Sequence, residues 1–381
     1  MSIPPLQEAI NVLQWIAKNQ RPIQIGLAVG GVILVIILLA FLPASVIQSS
    51  IRLSTPFVLG SLAALLASRA GVLNLAIEGK MLLGAFIAVV AVYRPGLPPG
   101  EPSIDPLWGV LAASLSGGVL GIIFAVLYLR IRINLIILAL ALNLFVAEGT
   151  VYFMRVWFNS FGTLADPSIN GLPTIEIPII DDVPVIGSLL SGYNIIVYLG
   201  WVLVFVIWLI MYRTRFGRHI RAVGENKEAA ESVGINVTRV QIFALTISGM
   251  LAGMAGAFLS LGVLSQFLEN MTAGRGWIAL TVAIFALNRP LPAFLTSLFF
   301  GLAEALALYM GRLDNVPIPP NLLQMFPQVA TLGALILVAL RIRGSEIIKR
   351  QTFAREFGKE IDNLKRTVVG NNDRAEQTAG D

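Results

Sequence analysis

Apolar residues gather along this chain in stretches long enough to matter for a bilayer, which a helix of about 20 apolar residues crosses. Ten stretches stand out as candidate spans: 23–42, 56–67, 81–93, 107–129, 134–154, 193–212, 240–264, 276–287, 291–310 and 322–340. The pattern predicts an all-α polytopic membrane protein of about ten transmembrane helices. Three stretches, 56–67, 81–93 and 276–287, are too short to cross about 30 Å of hydrocarbon at about 1.5 Å per residue. Polar residues crowd their ends: Ser68-Arg69-Ala70-Gly71 with Asn74, Glu78-Gly79-Lys80, and Gly274-Arg275-Gly276. Irregular backbone at membrane depth is tolerated where protein buries it or where it lines a cavity. Dividing the chain after the fifth span puts the third and eighth spans at equivalent places in two inverted five-helix halves. Short, glycine-interrupted segments at matching positions point to a transporter's central site. No clear sequence repeat accompanies that pairing.

Charge orients the spans. Arg130 and Arg132 follow the fourth, Arg213, Arg215, Arg218 and Arg221 the sixth, and Arg341 and Arg343 the tenth. Segment 156–192 carries Asp166, Glu176, Asp181 and Asp182 and neither Lys nor Arg. The positive-inside bias therefore places both termini in the cytoplasm and 156–192 outside, a parity that ten spans satisfy. The first span has the length of a crossing helix and lacks a small-residue cleavage site, so it reads as an anchor rather than a cleaved signal.

Composition narrows the function classes. The chain is 56% hydrophobic and 13% charged, against about 25% charged in a typical soluble domain. Its net charge of +5 sits mostly beside apolar spans, so membrane anchoring accounts for it and nucleic acid is not an expected partner. With no cysteine and a single histidine, His219, disulfides, thiol catalysis, iron–sulfur clusters and a histidine-rich metal site are excluded. GxxxxGK[ST], HExxH and GxSxG do not occur, so no catalytic or metal residues are expected and the chain does not itself cradle ATP phosphates. His219, set among arginines, reads as an exposed loop residue.

Three segments follow. Residues 1–21 form a cytoplasmic N-terminal segment with a mildly amphipathic, interfacial stretch (Leu6, Ile10, Leu13, Ile16). Residues 22–343 form the membrane domain. Residues 344–381 form an amphipathic helix, marked by Phe353, Phe357, Ile361, Leu364 and Val368 at three- and four-residue spacing, and a disordered tail.

Between Arg213 and Arg239 the chain becomes cytosol-like. Asn226 suits a helix N-cap, Lys227 and Glu231 are an i,i+4 pair in the weaker order, and Gly234 suits a left-handed stop. The helix between them is about two turns long and offers Ala229, Ala230 and Val233 as a small apolar face. Two turns are not stable alone in water. Packing must hold them, either as a lid on the chain's own membrane domain or as a plug for a partner's groove.

Glu228-Ala229-Ala230 with Gly234 resembles the EAA–G coupling motif of ABC-importer permease subunits. SRAGVLNLAIEG (68–79), ALALNLF (139–145), FGRHIRAVGENKEAAESVGINV (216–237), SGMLAGMAGAFLSLG (248–262), ENMTAGRGWIAL (269–280) and LFFGLAEAL (298–306) resemble one branch of that family. This is the nucleoside and simple-sugar branch, related to branched-chain amino-acid permeases, with ENMTAGRG most like the nucleoside type. The likeness runs from about Thr55 to Leu340; residues 1–50 and the tail after Gly344 depart from it.

The resemblance implies the membrane-spanning subunit of an ATP-driven importer, forming a translocation path for nucleosides, in a bacterial inner membrane. Simple sugars or branched-chain amino acids are the alternative cargo, and an ATPase-independent secondary transporter is the alternative of another class. Asn226, Glu228, Ala229, Ala230, Val233 and Gly234 would dock on a separate ATP-binding subunit, which holds ATP–Mg, leaving no cofactor on this chain. A second permease subunit, a related chain rather than a copy of this one, and an extracytoplasmic solute-binding protein complete the implied set.

Polar residues at membrane depth are the remaining candidates. An ionisable residue within a span costs about 2.5–3.5 kcal/mol on insertion scales, so each needs a partner or a wet cavity. Asn74, Glu78, Asn143, Glu148, Arg275 and Glu304 form this set. Asn143 either bridges helices or faces the path; Glu304 either touches substrate or pairs with a base such as Arg275. Arg69, Glu78 and Lys80 have a second reading as snorkelling, interfacial residues. Trp277 or Phe285 could stack on a flat ring. Asn74, Glu78, Asn143, Arg275, Trp277 and Glu304 are the expected path residues. Gly117-Gly118 with Gly121, and Gly249, Gly253 and Gly256, are spaced for close helix approach.

Overall fold

A computed structural model describes residues 42–96, 104–176 and 191–312, with Met325 and Val329 as further single positions. All belong to one compact unit, Leu42–Thr331. The expectations for the N-terminal segment, the first and last spans, Asp181, Asp182 and the C-terminal tail lie outside the described residues.

Ten α-helices follow one another among the described residues. They are α1 (Ala44–Arg69), α2 (Ile77–Val92), α3 (Pro106–Leu129), α4 (Leu135–Phe158) and α5 (Ile195–Arg213). Then come α6 (Arg215–Glu225), α7 (Lys227–Ser232), α8 (Val237–Ala257), α9 (Arg275–Phe285) and α10 (Pro290–Met310). Helix α8 runs on as a π-helical stretch, Phe258–Leu264. Among the described residues, α1, α3, α4, α5, α8 with its extension, and α10 are the 6 helices long and apolar enough to cross a membrane.

Local chemistry explains several boundaries. The side chain of Asp105 accepts from Leu107 N–H with Pro106 at the first helical position, and Asn134 does the same for Ile136. Asn194 and Asn236 cap α5 and α8. These residues take up N–H groups that have no partner inside the helix. The π-helical stretch gives two carbonyls to other segments: Leu261 accepts from Leu172 N–H and Gly262 from Asn194 Nδ2, both at 3.0 Å.

One expected half-span is a full one. The stretch 56–67 is the inner part of α1, which starts at Ala44 and has 26 residues. Gln48, Ser50, Arg52 and Ser54 mask its first half in a hydropathy reading. Ser50 and Ser54 turn their hydroxyls back onto the carbonyls of Ile47 and Ile51 at 2.7 Å, which lets polar side chains sit on a packed helix. The other two short stretches stay short, α2 with 16 residues and α9 with 11.

Helix α1 is the hub. Its most apolar window is 89% buried, against 28% for that of α4, so α1 is central and α4 peripheral. Helices α10, α8 and α9 pack around α1, and α3, α8 and α4 around α2. Closeness at the α3–α8 crossing depends on glycine. A Cβ at Gly117 would fall on the carbonyl of Gly249, and one at Gly253 on the carbonyl of Ala113. These small residues serve helix contact, as their spacing suggests.

The fold is not purely helical. Four two-residue strands form two antiparallel ladders: β1 (Thr163–Leu164) with β4 (Phe267–Leu268), and β2 (Thr174–Ile175) with β3 (Tyr193–Asn194). Ladders this short leave no alternating pattern in sequence, so the all-α expectation missed them.

Candidate functional site

The island between α5 and α8 is a helical hairpin. Asn226 Oδ1 accepts from Ala229 N–H at 3.1 Å, and Gly234 has φ 82°. Both ends of α7 therefore form as the residues dictate. The apolar face expected on α7 divides, however. Ala230 turns inward onto Ile220 and Val223 of α6, Val237, Val240 and Ala244 of α8, and Ala70. Glu228 and Ala229 remain exposed, and Val233 is 72% exposed. Ala230 anchors the helix to its own chain while Ala229 and Val233 stay available. Helix α6 was not foreseen. Phe216, Ile220 and Val223, at i, i+4 and i+7 among the arginines, were its signal. His219 is exposed as expected, but on α6 rather than a loop.

A second constellation surrounds the short helix α9. Its first residues lack a side-chain cap of their own, and Gly274 enters with φ 82°. Glu78 of α2 supplies the cap: its Oε1 accepts from Gly274 N–H at 2.8 Å and its Oε2 from Gly276 N–H at 2.7 Å. A carboxylate at a helix N-terminus also meets the favourable end of the helix dipole. Asn143 of α4 acts similarly on α2, accepting from Gly79 N–H at 2.9 Å and donating to the Leu75 carbonyl at 3.1 Å. It bridges helices, one of its two open readings.

Arg275, at the start of α9, forms an ion pair with Glu304 of α10, with Nε and Nη2 both on Oε1. Arg275 Nη1 donates to the carbonyls of Met271 and Thr272 at 3.2 and 3.4 Å. The pairing anticipated for Glu304 is thus present. Its second oxygen, Oε2, is buried without a protein partner, as is Thr272 Oγ1. Trp277, in the first turn of α9, is 40% exposed. Phe285 packs with Phe57, Ile278, Val282 and Phe300 and is not a free stacking surface.

Asn74 and Lys80 form a third, fully buried group. Lys80 Nζ donates to Asn74 Oδ1 at 2.9 Å and lies 4.4 Å from the centre of the Phe124 ring. Asn74 Nδ2 donates to Ser248 Oγ at 2.9 Å, and Ser248 in turn to the Ala63 carbonyl. Lys80 does not snorkel, because an amide and an aromatic face satisfy its ammonium inside the protein. Arg69 and Glu78 both bond to backbone around α9: Arg69 Nε donates to the Asn288 carbonyl at 2.8 Å.

Helix α4 carries the opposite arrangement. Glu148 near its middle is exposed, with Leu144, Phe145 and Tyr152 on neighbouring positions 65%, 74% and 60% exposed. Among the described residues no group of His, Asp and Glu could hold a metal ion.

Among the described residues, six bilayer-length apolar helices, two short apolar helices braced by polar side chains of other helices, and a basic helical hairpin between two spans mark a multi-pass membrane protein. Residues 46–340 match the family described as the permease component of the branched-chain amino acid transport system, and the chain belongs to that family. It is similar to the nucleoside ABC transporter permease protein NupC of Lactococcus lactis subsp. cremoris, 30% identical over 294 residues, covering 77% of this chain and 91% of that one. The guanosine ABC transporter permease protein NupQ of Bacillus subtilis is 29% identical over 292 residues, covering 76% and 90%. A putative glucose ABC transporter permease protein, TsgC13 of Haloferax volcanii, is 28% identical over 341 residues, covering 84% and 99%. As a member of this family the chain is a transport subunit and not an enzyme.

Proposed function

We propose that this chain is the membrane-spanning subunit of an ATP-driven ABC importer and forms part of the translocation path for nucleosides. The island carries the reading. Helix α7 is capped at Asn226, pinned through Ala230 and exposed at Ala229 and Val233, the arrangement of a preformed plug for a groove on an ATP-binding subunit. That subunit holds ATP–Mg. The arginines of α6 favour a cytoplasmic island in a bacterial inner-membrane protein, by the positive-inside bias. The ten-span reading, which counts the short α2 and α9 together with 23–42 and 322–340 and divides into two inverted halves, would leave both termini on the same side.

A second permease subunit, a related chain, encloses the path, and an extracytoplasmic binding protein loads it. Helix α4 faces the path. A mid-span carboxylate costs about 2.5–3.5 kcal/mol in lipid, so Glu148 faces water and substrate, with Phe145 and Tyr152 beside it to stack on a base. The Arg275–Glu304 pair and Trp277 contribute from α9 and α10, while Asn74, Glu78 and Asn143 brace the helices behind them. Nucleosides are the favoured cargo because relatives with that role in their names match most of this chain; glucose is the runner-up for the same reason.

Uptake in cells lacking the native permease tests both parts. Ala229→Glu with Val233→Asp inserts normally and abolishes uptake, whereas Ala230→Glu also disrupts the island's packing. Uptake surviving the exposed pair of changes removes the coupling role. Accumulation of labelled glucose, ribose or leucine but not guanosine removes the nucleoside assignment. Purification in mild detergent without a stoichiometric ATPase supports a secondary transporter instead.

A further inference from the structure

Helix α9 is gripped at both ends by one short connector. Its N-terminal N–H groups rest on Glu78, at the start of α2. At its other end the chain leaves the helix through Leu287 and Asn288, both left-handed with φ 52°. Asn288 N–H returns to the Ala283 carbonyl at 2.9 Å, closing the turn. The carbonyls of Leu287 and Asn288 then point to the Arg69 guanidinium, which donates to them from Nη2 and Nε at 3.0 and 2.8 Å. An acid thus sits at the positive end of the α9 dipole and a base at the negative end. Arg69 ends α1 and Glu78 lies in the first turn of α2, so residues 70–76 between those helices join the two clamps.

The same connector is wedged against the island. A Cβ at Gly224 of α6 would fall on the Arg69 carbonyl, and one at Gly71, where φ is 75°, would come within 3.3 Å of Lys227 Cε. Gln241 Nε2 of α8 donates to the Ala70 carbonyl at 2.9 Å. Ala70 itself is buried with Ile220, Val223 and Ala230. Backbone packed this closely has no slack in which to absorb a displacement.

We propose that α9 is a strut that transmits movement of the island to the Arg275–Glu304 pair, with Arg69 as the positioning residue at its lower joint and Glu78 at its upper one. The inference rests on the reading of α7 as the ATPase-docking helix. Arg69 touches neither ATPase nor substrate; it sets where α9 stands. Closure of the ATPase pushes the island, the island pushes residues 69–71, and α9 carries the shift to Arg275 and Trp277.

The chain has no native cysteine, so paired spin labels report cleanly. Ser232→Cys marks the island, Ile284→Cys marks α9, and Leu115→Cys on α3 is the reference. Distances from the reference are measured by pulsed electron resonance in the assembled transporter, without nucleotide and trapped with ATP. In the otherwise unchanged protein both distances shift. With Arg69→Ala the island distance shifts as before and the α9 distance does not. Uptake per ATP hydrolysed falls about tenfold, within the range of typical coupling between sites. Arg69→Lys keeps the charge and one donor, and restores part of the α9 shift; it also serves if Arg69→Ala fails to assemble. An α9 distance that stays fixed in the unchanged protein, or shifts equally without the Arg69 guanidinium, overturns the strut. An island distance that never responds to ATP overturns the docking reading and the strut with it.

Discussion

The two carboxylate oxygens of Glu78 accept separately from Gly274 and Gly276, at 2.8 and 2.7 Å. A helix of 11 residues therefore starts on a cap held by another helix, almost 200 positions earlier in the chain.

Glu78→Gln leaves one acceptor oxygen and turns an amide N–H toward a backbone N–H. It is expected to cost about 1.5–3 kcal/mol, the worth of a hydrogen bond to a charged group. The check is thermal inactivation of the purified protein in detergent, which shifts downward. Gly276→Ala is the companion. Its Cβ would meet Glu78 Oε2 at 2.7 Å, so it destabilises although alanine is the better helix former by about 1 kcal/mol.

Glycines elsewhere give opposite signs. Gly253→Ala drives a methyl into the Ala113 carbonyl at the α3–α8 crossing and costs about 1–3 kcal/mol as overpacking. Nothing lies within 4 Å of a Cβ at Gly149 on α4. Gly149→Ala is expected to be neutral or to stabilise by up to about 1 kcal/mol. Monodisperse yield after detergent extraction separates the two.

Removing one member of the Arg275–Glu304 pair strands the other. Glu304→Leu alone costs about 3–5 kcal/mol, whereas Glu304→Leu combined with Arg275→Met recovers most of it, because an apolar pair carries no desolvation penalty. Melting curves of the three variants provide the comparison. Full recovery of fold without recovery of uptake would mark the pair as functional as well as structural.

Lys80 and Asn74 are coupled in the same sense. Asn74→Ala takes away the oxygen that holds Lys80 Nζ at 2.9 Å and costs about 1–3 kcal/mol, the penalty for a buried polar group left without its partner. Adding Lys80→Met keeps the aliphatic stem near Phe124 and removes the stranded amine. A double-mutant cycle on stability should give a coupling of about 0.5–3 kcal/mol; additive effects would mean that the contact contributes nothing.

Much of the architecture was legible in the residue pattern. Apolar runs located α3, α4, α5, α8 and α10 to within a few positions, and the lengths of the 81–93 and 276–287 runs announced the short α2 and α9. The caps of α7 could be read from Asn226 and Gly234, since capping is local chemistry. Helix α1 was half hidden because hydropathy averages over side chains and does not register that serine can satisfy itself on the preceding turn. Helix α6 was hidden by its arginines. Its inward stripe of Phe216, Ile220 and Val223 is narrow, and a helix that rests on its own domain needs no wider one.

Sequence alone indicated the class of this protein: its apolar lengths and its charge asymmetry follow from solvent preference, and the motif around Glu228-Ala229-Ala230 resembles that of importer permeases. Tertiary structure decided what the polar residues do. Glu78, Asn143, Arg69 and Lys80 are alike in sequence as costly groups near membrane depth. Partners 64 positions away for Asn143, 219 for Arg69 and 196 for Glu78 turn them into caps and clamps. No local pattern encodes such a pairing, because a polar group inside the fold is satisfied by whatever the fold brings within about 3 Å of it.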